Sequence, residues 1–128
     1  MRHLALDTNA VSALFEGDEA LTAVLVGVER LTIPVVVLGE YRYGLLRSRH
    51  RRKLEALLDS LARESDLADV DDETTRFYAV VREALRAKGR PLPENDVWIA
   101  AICLQHELGL VTRDRDFEHV EGLGVTSW

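Results

Sequence analysis

His3-Leu4-Ala5-Leu6-Asp7-Thr8-Asn9 is a short apolar run, almost at the start of the chain, that stops at three residues of helix-capping type. It predicts a buried strand followed by a helix, with an aspartate at the carboxyl end of the strand. Working outward, two short helices fill 9–28 and Leu31-Thr32-Ile33 forms a second strand. Pro34 suits the first position of a helix running to about Arg49. Leu54, Leu57, Leu58 and Leu61 mark an amphipathic helix over 51–63, and Asp66-Leu67-Ala68-Asp69-Val70 is a weak third strand. Asp71-Asp72-Glu73 opens a helix that reaches Lys88 and ends at Gly89, with its acids at the end the helix dipole favours. After the loop Gly89-Arg90-Pro91-Leu92-Pro93 comes a helix over 94–107, stopped by Gly109. Leu110-Val111-Thr112 and Gly124-Val125-Thr126 complete the strands.

Strands alternating with helices predict an α/β fold, a parallel sheet with helices on both faces. With 128 residues and no repeat or linker, residues 1–128 read as a single domain. Ligands of such sheets bind at the carboxyl edge of the strands, which directs attention to the acids there.

Four of the 22 acids stand out by their company. Asp7 ends the first strand, where a helix cap is its plainer explanation. Glu40 has Val36, Val37, Tyr43 and Gly44 as helical neighbours, an apolar or small stripe where a solvated glutamate does not belong. Asp96 lies in the first turn of its helix with Ile99, Ala100 and Cys103 on its side. Asp114 follows the strand Leu110-Val111-Thr112 by two residues. All four project to one edge of one sheet. Converging carboxylates repel, so either some hold their protons or a cation neutralises them. A set of oxygen donors selects a hard divalent ion, Mg²⁺, Mn²⁺ or Ca²⁺, over zinc, and acids with Mg²⁺ suit phosphoryl chemistry. No zinc, Walker-A or serine-hydrolase motif is present.

Hydrophobic residues at 47% and charged residues at 30% argue against disorder, and no apolar run is long enough to span a bilayer. One cysteine, Cys103, cannot form an internal disulfide, so the expected compartment is the cytoplasm. The net charge of −6 is opposite to that of a simple nucleic-acid binder. Its distribution is uneven, however. Arg47-Ser48-Arg49-His50-Arg51-Arg52-Lys53 carries five fixed positive charges, and Arg113 and Arg115 flank Asp114. Arg47, Arg49, Arg113 and Arg115 are the candidate phosphate contacts; a solvated helix junction is the alternative for the run.

Four blocks carry a family resemblance: Asp7-Thr8-Asn9; Val37-Leu38-Gly39-Glu40-Tyr41-Arg42-Tyr43-Gly44; Pro93-Glu94-Asn95-Asp96-Val97-Trp98-Ile99-Ala100-Ala101; and Thr112-Arg113-Asp114-Arg115-Asp116-Phe117. In this order and rough spacing, over essentially the whole chain, they resemble PIN-domain proteins, and among them the VapC ribonuclease toxins of type II toxin–antitoxin modules. The resemblance implies a three-layer α/β/α sandwich, a homodimer, a VapB-type antitoxin and an RNA substrate. It also implies an acidic site of Asp7, Glu40, Asp96 and Asp114. Asp7 and Asp96 would be the principal metal ligands, with Asp114 as a third and Asp116 its competitor. Thr8 and Asn95 would orient water or a carboxylate. The expected reaction is hydrolysis of a phosphodiester by metal-activated water, with 5′-phosphate products.

Other classes fit less well. A receiver domain needs paired acids after strand one and a late lysine, yet Asp7 has no adjacent acid and no lysine follows Lys88. A dehalogenase-type phosphatase needs Asp-x-Asp where this chain has Asp7-Thr8-Asn9. A PIN-like binding module without catalysis is the alternative, and all four acids speak for the enzyme.

Overall fold

Three consecutive buried residues, Leu4–Leu6, form strand β1 at the centre of a parallel five-stranded sheet in the computed structural model, which describes residues 2–128. The other strands are β2 (Thr32–Pro34), β3 (Asp66–Ala68), β4 (Gly109–Val111) and β5 (Val125–Thr126), in the order β3-β2-β1-β4-β5. Ala5 lies opposite Thr32 on one side and Leu110 on the other. Strands covered on both faces need apolar residues at every position, and β1 meets that demand.

The helices are α1 (Thr8–Phe15), α2 (Glu19–Val24), α3 (Val35–Leu45), α4 (Arg51–Glu64), α5 (Asp72–Ala87) and α6 (Glu94–Gln105). Right-handed crossovers put α1–α4 on one face of the sheet and α5 and α6 on the other, giving the expected α/β/α layers. The chain leaves β1 towards β2, but returns from β3 to β4 on the opposite side of β1. β1 and β4 are therefore neighbours with diverging connections, and a crevice forms at their carboxyl ends.

Helices α5 and α6 form an antiparallel hairpin: Thr74 meets Gln105 at one end, and Tyr78 meets Glu94 and stacks on Trp98 nearer the other. Since α6 ends where β4 begins, its start and the α5–α6 loop lie at the carboxyl edge. Gly109 contributes by close approach, because a Cβ there would sit 3.0 Å from Leu4 Cδ2. The core is filled by fully buried Leu6, Ile33, Leu58, Ile99, Leu110 and Phe117. Each contributes about 1.5–3 kcal/mol by leaving water.

Several expected boundaries move. Pro34 is the last residue of β2, not the first of a helix: pairing with Ala68 holds it extended, at ψ 135°. Helix α3 stops at Leu45 rather than Arg49, because the polar stretch to His50 turns back, with Ser48 Oγ accepting from His50 N. Helix α6 ends at Gln105, two residues before the expected Glu107. Glu107 takes the left-handed conformation (φ 55°), and Leu108 N donates to Cys103 O. Leu57 is 36% exposed rather than core, and Arg115–His119 winds into an unanticipated 3₁₀ turn.

Helix α5 starts with a capping box. Asp71 accepts from Thr74 N while Thr74 Oγ1 accepts from Asp71 N, both at 3.0 Å, and Gln105 Nε2 donates to Asp71 at 2.9 Å. Thr74 is fully buried. Thr74→Ala should lower stability in urea unfolding by about 1–2 kcal/mol, with Thr74→Ser losing less. Equal stability of the alanine variant would show that the box does not hold α5.

Candidate active site

Asp7 follows β1 and caps α1, accepting from Thr8 N at 2.8 Å through Oδ1. Its other oxygen, Oδ2, accepts from the Thr112 hydroxyl at 2.7 Å, across the crevice between β1 and β4. The carboxylate is only 6% exposed. Thr112, itself buried, is a junction: its oxygen also accepts from Asp114 N at 3.0 Å and from Asn9 Nδ2 at 3.4 Å. Asp114 then accepts from Asp116 N at 2.9 Å, which starts the 3₁₀ turn.

Glu40 and Asp96 approach from opposite layers. In α3, Glu40 Oε2 accepts from Asn95 Nδ2 at 2.8 Å, so α3 is tied to the first turn of α6. Glu40 Oε1 is buried beside the buried Thr8 hydroxyl, near enough for that hydroxyl to favour the carboxylate but without the geometry of a full hydrogen bond to it or to any other group. Burying a carboxylate oxygen without a partner costs free energy.

Electrostatics ties the acids into one group. Burial raises Asp7, opposed by its bonds to Thr112 and Thr8, and the charge of Asp114 raises it further. Glu40 is raised by burial and by Asp7, against the bond from Asn95 and the Thr8 hydroxyl. Asp96 is affected most. Burial, then the charges of Asp7, Glu40, Asp114 and Asp116, push it from 3.8 to about 7. Burial and the charge of Asp7 push the Cys103 thiol up to about 12, so it stays protonated and is no nucleophile.

The sequence-predicted acids thus come together, and Asp114 lies nearer the group than Asp116. Asp114 acts on both Asp7 and Asp96, whereas Asp116 acts on Asp96 alone and is exposed. Thr8 and Asn95 also lie here, Asn95 in direct contact with Glu40. The arginines are more scattered. Arg113 reaches Asp18 at 3.6 Å and lies over the Trp128 ring at 4.6 Å, and Arg115 is exposed beside Asp114. Arg47 folds back on Tyr43, while Arg49 stands with Arg51 and Arg52 at the α3–α4 junction. Thr112 escaped the sequence reading; its one signal was a hydroxyl at the end of a buried strand, two residues before an acid.

All donors at the site are oxygens, and Glu40 Oε1 is an orphan, which suits a hard cation. Among the described residues, no three such side chains already stand close enough to hold a metal ion.

Comparison with known proteins agrees with this geometry. The PIN domain family matches residues 4–123. Ribonuclease VapC5 of Mycobacterium tuberculosis is 35% identical over 123 residues, 91% of this chain and 87% of the relative. The chain belongs to the PIN-domain family, and within it to the VapC ribonucleases. The crystal structure of VapBC-5 from Mycobacterium tuberculosis, a member of the VapBC family of toxin–antitoxin systems, superimposes with a TM-score of 0.76 at 33% identity, covering 99% of this chain and 98% of that one. DNA-bound VapBC from Salmonella typhimurium shares the fold at a TM-score of 0.87 and 24% identity, over 100% and 99% of the two chains.

The raised Asp96 has a consequence in metal-free protein. Between 3.8 and about 7 the folded state keeps a proton that the unfolded chain releases, so stability should fall as pH rises through that window. Asp7 and Glu40 act with the same sign. Melting curves in chelator should show the unsubstituted protein losing stability relative to Asp96→Asn as pH rises across this window. Parallel curves would mean that Asp96 titrates normally.

Proposed function

We propose that this chain is a divalent-metal-dependent endoribonuclease, the toxin of a VapBC-type toxin–antitoxin pair, with Asp7, Glu40, Asp96 and Asp114 as its catalytic acids. The observation that carries the proposal is the mutual charge coupling of these acids, in which Glu40 keeps an unpartnered buried oxygen and Asp96 is pushed to about 7. A purely structural set of carboxylates would be expected to have basic partners, and the bonds found for Asp7 and Glu40 come from hydroxyl and amide groups instead.

Asp7, Asp96 and Asp114 would hold Mg²⁺ or Mn²⁺, each carboxylate oxygen retaining a lone pair beyond its present hydrogen bond. When bound, the ion supplies positive charge that activates water and stabilises the developing phosphoryl charge. The chain's own groups do the rest. Glu40, held by Asn95 and raised by burial, is suited to take the proton of the attacking water. Thr8 places its hydroxyl beside Glu40, where it can orient that water. Thr112 holds Asp7 in place, exposed Arg115 stands beside Asp114 to meet phosphates, and Arg113 would have to leave Asp18 and Trp128 to join it. Attack at phosphorus breaks the bond to the 3′ oxygen, which takes a proton from solvent, leaving a 5′-phosphate and a 3′-hydroxyl.

VapC5 carries the name ribonuclease, and VapBC-5 is described as a toxin–antitoxin system. Carried over to this chain, those descriptions support RNA as substrate and a VapB-type antitoxin as partner. The family resemblance adds a homodimer, residues 1–128 forming one PIN domain. No helix among the described residues is long and apolar enough to cross a membrane, and the lone buried Cys103 needs no oxidising compartment, in keeping with the cytoplasm.

Purified protein should cut single-stranded RNA with Mg²⁺ or Mn²⁺ and stop in excess chelator. Asp7→Asn and Asp96→Asn should each lower cleavage by about 100-fold or more. Their metal-free melting temperatures should equal or exceed that of the parent, since one repelling charge is removed. Full activity in chelator with 2′,3′-cyclic phosphate ends would overturn the metal mechanism. RNA that is bound but never cut would favour the non-catalytic PIN-like module.

A further inference from the structure

Arg49, Arg52 and Lys53 stand where α4 gains nothing from them. They belong to the densest run of cations in the sequence, five fixed positive charges over 47–53 in a chain whose net charge is −6. Arg52 and Lys53 lie in the first turn of α4, at the end of the helix dipole that disfavours cations. Helices α2, α5 and α6 carry acids at that position instead. Among the described residues Arg51 pairs with Glu55 at 2.9 Å, but Arg49, Arg52 and Lys53 are exposed and have no carboxylate within ion-pairing distance.

A groove of about 380 Å³ connects this run with the neighbourhood of the acids. It is lined by Ser12 and Glu16 of α1, Tyr41 of α3, and His50 and Lys53 at the start of α4. Thr8 and Ser12 are four residues apart on α1, so they share one face of that helix, about 5–6 Å from each other. The Thr8 hydroxyl lies beside Glu40, and Tyr41 follows Glu40 in α3. The groove therefore opens one helical turn from the acids. At its other end, Arg49 and Arg52 continue from Lys53 around a shallow depression at the α3–α4 junction. Glu16 is the one carboxylate lining the groove, about two turns along α1 from Thr8. Tyr41 is buried and spends its ring on Phe15, so the groove has no free stacking surface for a base.

A polyanion at the carboxyl edge meets the five mutually repelling acids there, on a protein of its own charge sign. Cations along its path offset that repulsion and release its counterions. Arg113 is held by Asp18 and Trp128, so beside the acids only Arg115 is free for this. We propose that Lys53, Arg52 and Arg49 hold phosphates of the RNA strand where it passes from the acids along the groove to the start of α4. RNA as the ligand rests on the ribonuclease reading, whereas the path and its cations come from the geometry. Contact is to the backbone, so these residues add affinity without choosing a sequence.

The test measures binding of a fluorescein-labelled single-stranded RNA in Mg²⁺ over a range of NaCl concentrations, in an Asp96→Asn background that keeps the strand intact. Each phosphate contact on a single strand contributes about 0.7 to the slope of log Kd against log salt. Combining Arg49→Gln, Arg52→Gln and Lys53→Gln should lower that slope by about 2 and weaken binding about tenfold or more at low salt. An abasic strand of the same length should suffer the same loss, because its phosphates are intact. Arg30→Gln, Arg63→Gln and Arg76→Gln together remove the same charge from the amino edge of the sheet and should leave the slope unchanged. The first triple variant should melt at or above the parent temperature, since cations leave the first turn of α4, so lost binding is not lost folding. In the protein with Asp96 intact it should raise KM while leaving kcat within about twofold, the pattern of lost ground-state binding.

An unchanged slope in the first triple variant would overturn the proposal and leave the run a solvated helix junction. So would an equal loss in the amino-edge variant, which would make the effect one of net charge. A loss confined to the normal strand would also overturn it, since a base would then be the contact. Unchanged RNA affinity with lost binding of a polyglutamate peptide is a further overturning result, because an acidic protein would then be the occupant. Failure of the ribonuclease reading is distinct: the unsubstituted protein would not cut RNA, while the salt slopes would still report on the run.

Discussion

The carboxylate of Asp7 has to stay in place where almost no water reaches it, and the Thr112 hydroxyl makes that possible. Without the Thr112 and Thr8 donors, both Asp7 oxygens would be buried and unsatisfied. The bond also joins the ends of β1 and β4, the two strands whose connections diverge. Asp114 hangs from the same hydroxyl through its backbone N–H, and Asn9 reaches it from α1. One oxygen therefore sets the spacing of two acids and the helix that follows the first.

The other two acids are placed by a different route. Glu40 and Asp96 belong to helices in opposite layers, and the Asn95 side chain brings them to a common point. Net charge gives no hint of this arrangement. A chain at −6 spreads most of its acids over the surface, where water screens them. What singles out these four is the loss of that screening, and Asp96, facing four other acids, is displaced furthest.

Much of the site was legible because its residues break the local pattern. Glu40 interrupts an apolar stripe, and Asp96 follows Asn95 on a helix whose remaining positions are mostly buried. The alternation of strands and helices was enough to predict the layers and the working edge. Strand order was not legible, since three-residue strands carry too little pattern to choose their neighbours. Nor was Thr112, whose importance depends on β1 lying next to β4. Asp114 was preferred to Asp116 as the first acid after the strand, but the 3₁₀ turn that leaves Asp116 exposed could not be announced by any periodicity of five residues. Helix ends drifted for local reasons: Glu107 took the left-handed position expected of a glycine, leaving Gly109 free for its contact with Leu4.

The two ties that assemble the acids differ in exposure. Thr112 to Asp7 is sealed in the interior, whereas Asn95 is open to water, which competes for its bond to Glu40. Breaking the inner tie would strand a carboxylate; breaking the outer one lets solvent take over. Asp7 and Thr112 therefore keep their register by a bond that solvent does not reach, while α3 and α6 are tied at this point by one that it does. Two of the acids are thus set by the interior of the sheet and two by a contact at the surface, so a change of solvent reaches Glu40 and Asp96 before it reaches Asp7 and Asp114.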